Sequence, residues 1–392
     1  MSTVPGRMAT ALSGFWRRIP LMDRWLASEL VGPLLFGIAA FTTVSLSVGV
    51  VFELVRKVAE AGLPLPAAIQ VLLLKLPSFL VLSFPMATLM ATLLSYSSLS
   101  GNSELTALRS LGVSTRRLVL PALVVATLMS FLTFVFNDVL VPASNLQADI
   151  TLDRALGQAI SSQRGDNVLY TRYGTVTGPG GVSGNGIAQI FFARTFVNEE
   201  MRDVTILDFS RIGARQTLMA PRGRWNESRS MWEFFDGRIV SISDDGNKTV
   251  TAEFSRYLYP LDHGPIDVAR LPRDPAAMTV RQALDAEQLL QKSGDLKELR
   301  RMQVRIQEKF AFPTICLVFG LIGSSLGVRP NSRTSRGQGF GISVLLIFGY
   351  YLMSFVFSSL GIKGTLLPIF AAWMPVIIGL TAGIWLLRAA SR

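Results

Sequence analysis

The stretch Leu30-Val-Gly-Pro-Leu-Leu-Phe-Gly-Ile-Ala-Ala-Phe-Thr-Thr-Val-Ser-Leu-Ser-Val-Gly-Val-Val-Phe52 contains no charged residue. At the helical rise of about 1.5 Å per residue it spans a hydrocarbon core of about 30 Å. Five more uncharged runs follow, at Leu76–Ser98, Leu118–Phe136, Phe310–Val328, Gln338–Leu360 and Gly364–Leu387. A single run of this kind also suits the buried core helix of a soluble protein, but six in one chain describe a membrane protein. Composition agrees: 392 residues, 49% hydrophobic and 17% charged, with a mean hydropathy of +0.40. That is too apolar for a soluble protein and too charged for a bare helix bundle. No small-residue cleavage site follows the first run, so it is expected to be retained rather than removed as a signal peptide.

The net charge of +11 invites a nucleic-acid reading until its placement is counted. Of 38 Lys/Arg and 27 Asp/Glu, 20 of each fall in 142–304, leaving 18 basic against 7 acidic residues elsewhere. Basic residues flanking apolar runs report membrane orientation, so no nucleic-acid partner is expected. With the amino terminus inside, the inner flanks carry Arg7, Arg17, Arg18, Arg24, Arg109, Arg116, Arg117, Arg329, Arg333, Arg336, Arg388 and Arg392. The outer short loops carry Arg56, Lys57 and Lys363. Both termini are therefore expected to be cytoplasmic and 142–304 extracytoplasmic.

In that large insert the pattern changes from long apolar runs to short β-rich ones. Val168–Val176, Ile187–Phe196, Val204–Phe209, Trp232–Ser243 and Thr249–Tyr259 read as strands, punctuated by Gly178-Pro-Gly-Gly181 and Asp244-Asp-Gly-Asn247. The polar segment Asn145–Gln163 extends the third helix, and leucines at 284, 289, 290, 296 and 299 mark a helical return to the membrane. The expected fold is an α-helical membrane protein with six transmembrane helices (3+3) and an inserted extracytoplasmic all-β, jelly-roll-like domain. Its parts are a cytoplasmic segment 1–29, spans one to three in 30–141, the insert 142–304 with flanking helices, and spans four to six in 305–392.

Catalytic motifs are absent. There is no G-x-x-x-x-G-K-[ST] phosphate loop, and the lone histidine, His263, excludes Ser/His/Asp and HExxH arrangements. The lone cysteine, Cys316, lies in an apolar run, so neither a disulfide framework nor a His/Cys metal site is available within the chain.

The informative cytoplasmic element is Ser100-Gly-Asn-Ser-Glu-Leu-Thr-Ala-Leu-Arg-Ser-Leu-Gly-Val-Ser114, which predicts a short helix at about 102–112. Ser103 suits an N-cap, Glu104 suits the positive end of the helix dipole, and Gly112 suits the C-terminal stop. Leu105, Leu108 and Leu111 make one apolar face beside the polar Glu104 and Arg109. Such a face suits docking into a groove on a partner, and it equally permits a helix lying on lipid headgroups.

This loop resembles the coupling helix of the lipopolysaccharide-export permeases of the LptF/LptG (YjgP/YjgQ) family. The resemblance rests on Ser103-Glu-Leu-Thr106 with Gly112-Val-Ser114, on Leu54-Val-Arg56 with Gly62-Leu-Pro64, and on Glu308-Lys-Phe-Ala-Phe-Pro313. Leu360-Gly361 and Ala371-Ala-Trp-Met-Pro375 agree, so it covers nearly the whole chain and is weakest in the β-rich insert. It implies a permease subunit without its own ATPase motif or cofactor, served by a cytoplasmic ABC ATPase dimer that binds ATP and magnesium. It further implies a second permease subunit, a periplasmic jelly-roll bridge protein and lipopolysaccharide as partners, in the bacterial inner membrane. By the same resemblance Glu104, Leu105, Leu108 and Arg109 belong to ATPase coupling. Basic residues at the outer end of the membrane, here Arg56 and Lys57, are expected to meet the lipid, with charge-assisted bonds to its phosphates. Glu53 departs from that pattern, where a basic residue is expected. Lys75, at the outer edge of the second run, is a further lipid-binding candidate that also suits snorkelling to the interface. Export of another amphiphile, or a membrane-anchored assembly scaffold, remains an open alternative at this stage.

Overall fold

The computed structural model describes residues 20–156, 168–177, 183–197, 200–210, 214–243, 248–261, 264–266, 278–328 and 336–391. Six helices among them are long and apolar enough to cross a membrane: Leu21–Ala61, Leu65–Gly101, Thr115–Ala155, Leu296–Gly327, Gln338–Lys363 and Pro368–Ala390. The first three run well past their uncharged cores, the first reaching about 60 Å at 1.5 Å per residue. Two of them carry a π-helical turn, Ser47–Val51 in the first and Phe136–Leu140 in the third. The chain forms two compact units, one of 1–53, 75–141 and 307–392, the other of 54–74 and 142–306.

The membrane unit is organised around the fourth span, because small residues let other helices approach its backbone. A Cβ on Gly320 would meet the Ala126 Cβ at 2.5 Å, on Gly323 the Leu89 carbonyl at 2.9 Å, and on Gly327 the Tyr96 Cβ at 2.5 Å. The second and third spans therefore pack against this one helix at close range. The sixth span joins it with glycines of its own, Gly379 against Val318 and Gly383 against Leu321. Several polar groups inside the bundle find partners within it, where lipid supplies none. The Tyr96 hydroxyl donates to the Leu118 carbonyl at 2.7 Å, and the Thr92 hydroxyl to the Thr88 carbonyl at 2.8 Å. Cys316 is fully buried between Phe84 and Met129, with its sulfur 3.4 Å from the Thr133 hydroxyl. His263 lies outside the described residues.

In the other unit six antiparallel strands follow one another in sequence order: β1 Val168–Thr177, β2 Ser183–Val197, β3 Glu200–Asp208, β4 Ala214–Asn226, β5 Met231–Ser243 and β6 Thr249–Tyr259. The sequence pattern marks no strand at β4. Pro221 and Gly223 interrupt its alternation, and its arginines hide the apolar face formed by Leu218 and Ala220. That interruption belongs to a bend across the sheet, where Asp203 on β3 and Asp236 on β5 both take positive φ near Pro221. A Cβ on Gly237 beside them would strike the Met219 carbonyl at 2.4 Å. Such irregularities curl a sheet.

The curl is large. Gln189 on β2 and Tyr259 on β6 stand four strands apart, about 19 Å in a flat sheet, yet the Gln189 amide donates to the Tyr259 hydroxyl at 2.9 Å. The sheet thus rolls over a core of Phe191, Trp232, Phe234 and Tyr259 with the aliphatic residues of β1, β3 and β4. Trp232 and Phe234 stack at 6.0 Å, and Phe191 lies 5.3 Å from Trp232. The inserted all-β region is therefore one rolled meander with a filled interior.

The roll is latched by a buried carboxylate. Asp208 accepts from the Tyr259 hydroxyl at 2.6 Å, and from the Ser210 hydroxyl and backbone N–H at 2.5 and 2.9 Å. Burial pushes its pKa up, but these hydrogen bonds outweigh burial and hold it below the usual 3.8. Because the folded value is depressed, the stability from the ionised form is fully present above about pH 4 and is lost as pH falls through the folded value. Asp208→Ala should strand the Tyr259 and Gln189 donors and destabilise the roll by about 1–3 kcal/mol. Hydrogen exchange of the β2, β3 and β6 amides should then speed up at neutral pH, and native exchange should approach the variant's in acid. Unchanged exchange in the variant would mean that the latch is idle.

Candidate functional site

The loop between the second and third spans folds as a helix over Glu104–Ser110. Its stop is the expected one. Gly112 takes φ 89, its N–H donates to the Arg109 carbonyl at 2.9 Å, and the Val113 N–H donates to the Leu108 carbonyl at 3.2 Å. This pair of bonds, with Leu108 and Val113 packed together on the same cluster, is a Schellman termination. The start differs from expectation. Ser103 sits in the left-handed region at φ 62 and its side chain makes no capping bond. The first turn is supported instead by Glu104, whose carboxylate accepts from the Asn102 amide at 3.2 Å.

The leucine face also differs from expectation. Leu105 is 1% exposed and Leu108 half-buried, both packed on the chain's own Leu26, Leu30, Tyr96, Leu99, Leu118 and Val119. Leu111 alone of the three leucines points outward, 80% exposed. The apolar stripe is thus spent on seating the helix against the ends of the first three spans, because that contact removes Leu105 wholly from water. What the helix offers outward is a ridge of Ser103, Thr106, Ala107, Ser110 and Leu111, with Glu104 at its edge.

Arg109 turns inward as well. Its guanidinium donates to the Thr115 hydroxyl at 2.8 Å and to the Ala390 carbonyl at 2.9 Å. Nearby, Arg117 pairs with Asp23 at 2.6 Å, tying the start of the third span to the start of the first. Of the four residues expected at a coupling surface, Glu104 is therefore the one at the outward edge. Sequence reasoning passed over Thr106, Ala107 and Ser110, which carry no charge or apolar pattern to single them out.

The lipid-facing candidates divide differently. Glu53, Arg56 and Lys57 fall within one helical stretch, Phe52–Ala61, immediately after the π-helical turn. Glu53 and Arg56 are exposed and Lys57 is half-buried. Lys75 is half-buried on the second span. A glutamate one turn from an arginine on the same helix lowers the net positive charge there.

A family model described as lipopolysaccharide export system permease LptF/LptG matches residues 24–389. The chain belongs to the LptF/LptG family. The match takes in all six spans, the loop helix and the rolled sheet, so the family assignment covers the architecture as well as its ends. LptF/LptG proteins are lipopolysaccharide export permeases, and this member is a multi-pass membrane protein. No individually curated protein matches the sequence.

Proposed function

We propose that this LptF/LptG chain is the transmembrane permease subunit of an ABC transporter that extracts lipopolysaccharide from the inner membrane. It passes the lipid to a periplasmic bridge of jelly-roll folds for delivery to the outer membrane. A cytoplasmic ABC ATPase dimer, carrying ATP and magnesium, docks on the ridge edged by Glu104, and a second permease subunit completes the pathway. Both termini face the cytoplasm and the rolled sheet faces the periplasm. The observation that carries this reading is the loop helix, which is clamped to three spans by Leu105, Leu108 and its Schellman stop while one face stays open. A short helix held rigidly to spans and open on one side suits the conversion of ATPase closure into a rigid-body movement.

The substrate is tested at the outer end of the first span. A photo-crosslinking residue at Arg56 or Lys57 in native membranes is expected to capture lipopolysaccharide, and the yield should fall when ATP drives export. Capture of phospholipid alone would point to another amphiphile.

A further inference from the structure

Arg109 lies 281 residues from its acceptor Ala390, the last residue of the sixth span, and is bonded at the same time to Thr115 at the start of the third. The Ala390 carbonyl is one of the terminal groups that a helix leaves without an internal partner, at the negative end of its dipole. A guanidinium there satisfies the acceptor and complements its charge. The contact has apolar support, because Leu380 and Leu387 of the sixth span pack on the same cluster that seats Leu105 and Leu108. The sixth span in turn meets the central fourth span through Gly379 and Gly383. A continuous packed path therefore runs from the loop helix to the middle of the membrane unit, and Arg109 is its polar fastening.

We propose that Arg109 is a positioning residue that locks the loop helix to the cytoplasmic end of the sixth span, so that a displacement of the loop helix carries that span with it. The same guanidinium cannot serve the ATPase surface while it holds Thr115 and Ala390, and its Nε is buried. This rests on the docking reading above but concerns a different step: transmission after docking.

Cysteine-linked spin labels at the exposed Ser110 and Ser391 report the fastening directly, since Cys316 is buried. In the permease without ATPase, the label distance is expected to be narrowly distributed in the native chain and broad in Arg109→Met. The variant should keep its ATPase but release about tenfold less lipid per ATP, within the usual range of coupling between sites. Deleting Ala390–Arg392 removes the acceptor and should reproduce the defect, and the double variant should be no worse than either single one. The proposal is overturned by an unchanged distance distribution in Arg109→Met, by an unchanged lipid yield per ATP, by loss of the ATPase itself, or by a deletion that behaves like the native chain. A parallel Glu104→Arg variant that retains its ATPase would sink the docking reading, and the distances in the ATPase-free permease would still decide the fastening.

Discussion

Gly323→Val is expected to leave almost no folded protein. A Cβ at this position would lie 2.2 Å from the Thr92 hydroxyl oxygen, 2.9 Å from the Leu89 carbonyl oxygen and 3.1 Å from the Leu93 nitrogen. The threonine could turn aside, but the other two are backbone atoms of the second span and move only if the whole helix moves. The Thr92 hydroxyl is also bonded to the Thr88 and Leu89 carbonyls, so turning it costs those bonds. Separating the helices would undo the neighbouring contacts at Gly320 and Gly327, which lie on the same face. Overpacking typically costs about 1–3 kcal/mol, and a clash with backbone falls at or beyond the upper end. A membrane bundle holds together by such packing, with no hydrophobic drive between its helices in lipid. Size-exclusion profiles of detergent extracts should show an aggregated or absent variant. Gly349→Val is the control, because nothing lies within 4 Å of its added Cβ and it should elute as native. A monodisperse Gly323→Val protein of native thermal stability would show that the second and fourth spans do not pack as described.

The extent to which the sequence spoke for this fold follows from which forces leave local marks. Lipid admits about 20 uncharged residues per helix and tolerates charges at the ends, so all six spans could be read directly. Their extensions could not. The first helix continues through Phe52–Ala61, where Glu53, Arg56, Lys57 and Glu60 break the apolar run although the backbone stays helical. β4 escaped because Pro221, which blurs its pattern, lies at the bend that rolls the sheet, and Gly223 is bare to make room for Phe234. The three leucines of the loop helix predict one apolar face but not what covers it; Leu105 and Leu108 pack on the chain itself, while Leu111 stays exposed. Arg109 gave no local sign of its role, since Ala390 is at the other end of the chain. Ser103 looked like a cap by residue type, but its left-handed backbone turns the side chain away from that task.

Glu104→Arg is expected to abolish ATPase association while leaving the permease folded. Glu104 is half-buried, and its carboxylate accepts from the neighbouring Asn102 amide. Its contribution to the helix itself, through the dipole, is worth about 0.3–1 kcal/mol, too little to endanger a bundle seated by Leu105. The surroundings are basic: Arg116 is exposed, while Arg109 and Arg117 are held by their own partners. Glu104 is therefore an acidic group at the edge of the ridge with arginines nearby, the feature by which a complementary cation on the ATPase would recognise it. Removing one member of a desolvated charge pair costs about 2–5 kcal/mol, a loss of roughly 30-fold to several thousand-fold in affinity. Reversal adds repulsion. Glu104→Gln, which keeps the shape and the Asn102 contact, should weaken the complex less than Glu104→Arg. Thr106→Arg on the exposed ridge should act chiefly by obstruction and show no such dependence on charge. Affinity purification of the permease with its ATPase, followed by lipid release from proteoliposomes, measures both effects. A Glu104→Arg complex with stoichiometric ATPase and native lipid release would remove the acidic edge from the docking surface and place recognition elsewhere on the cytoplasmic face.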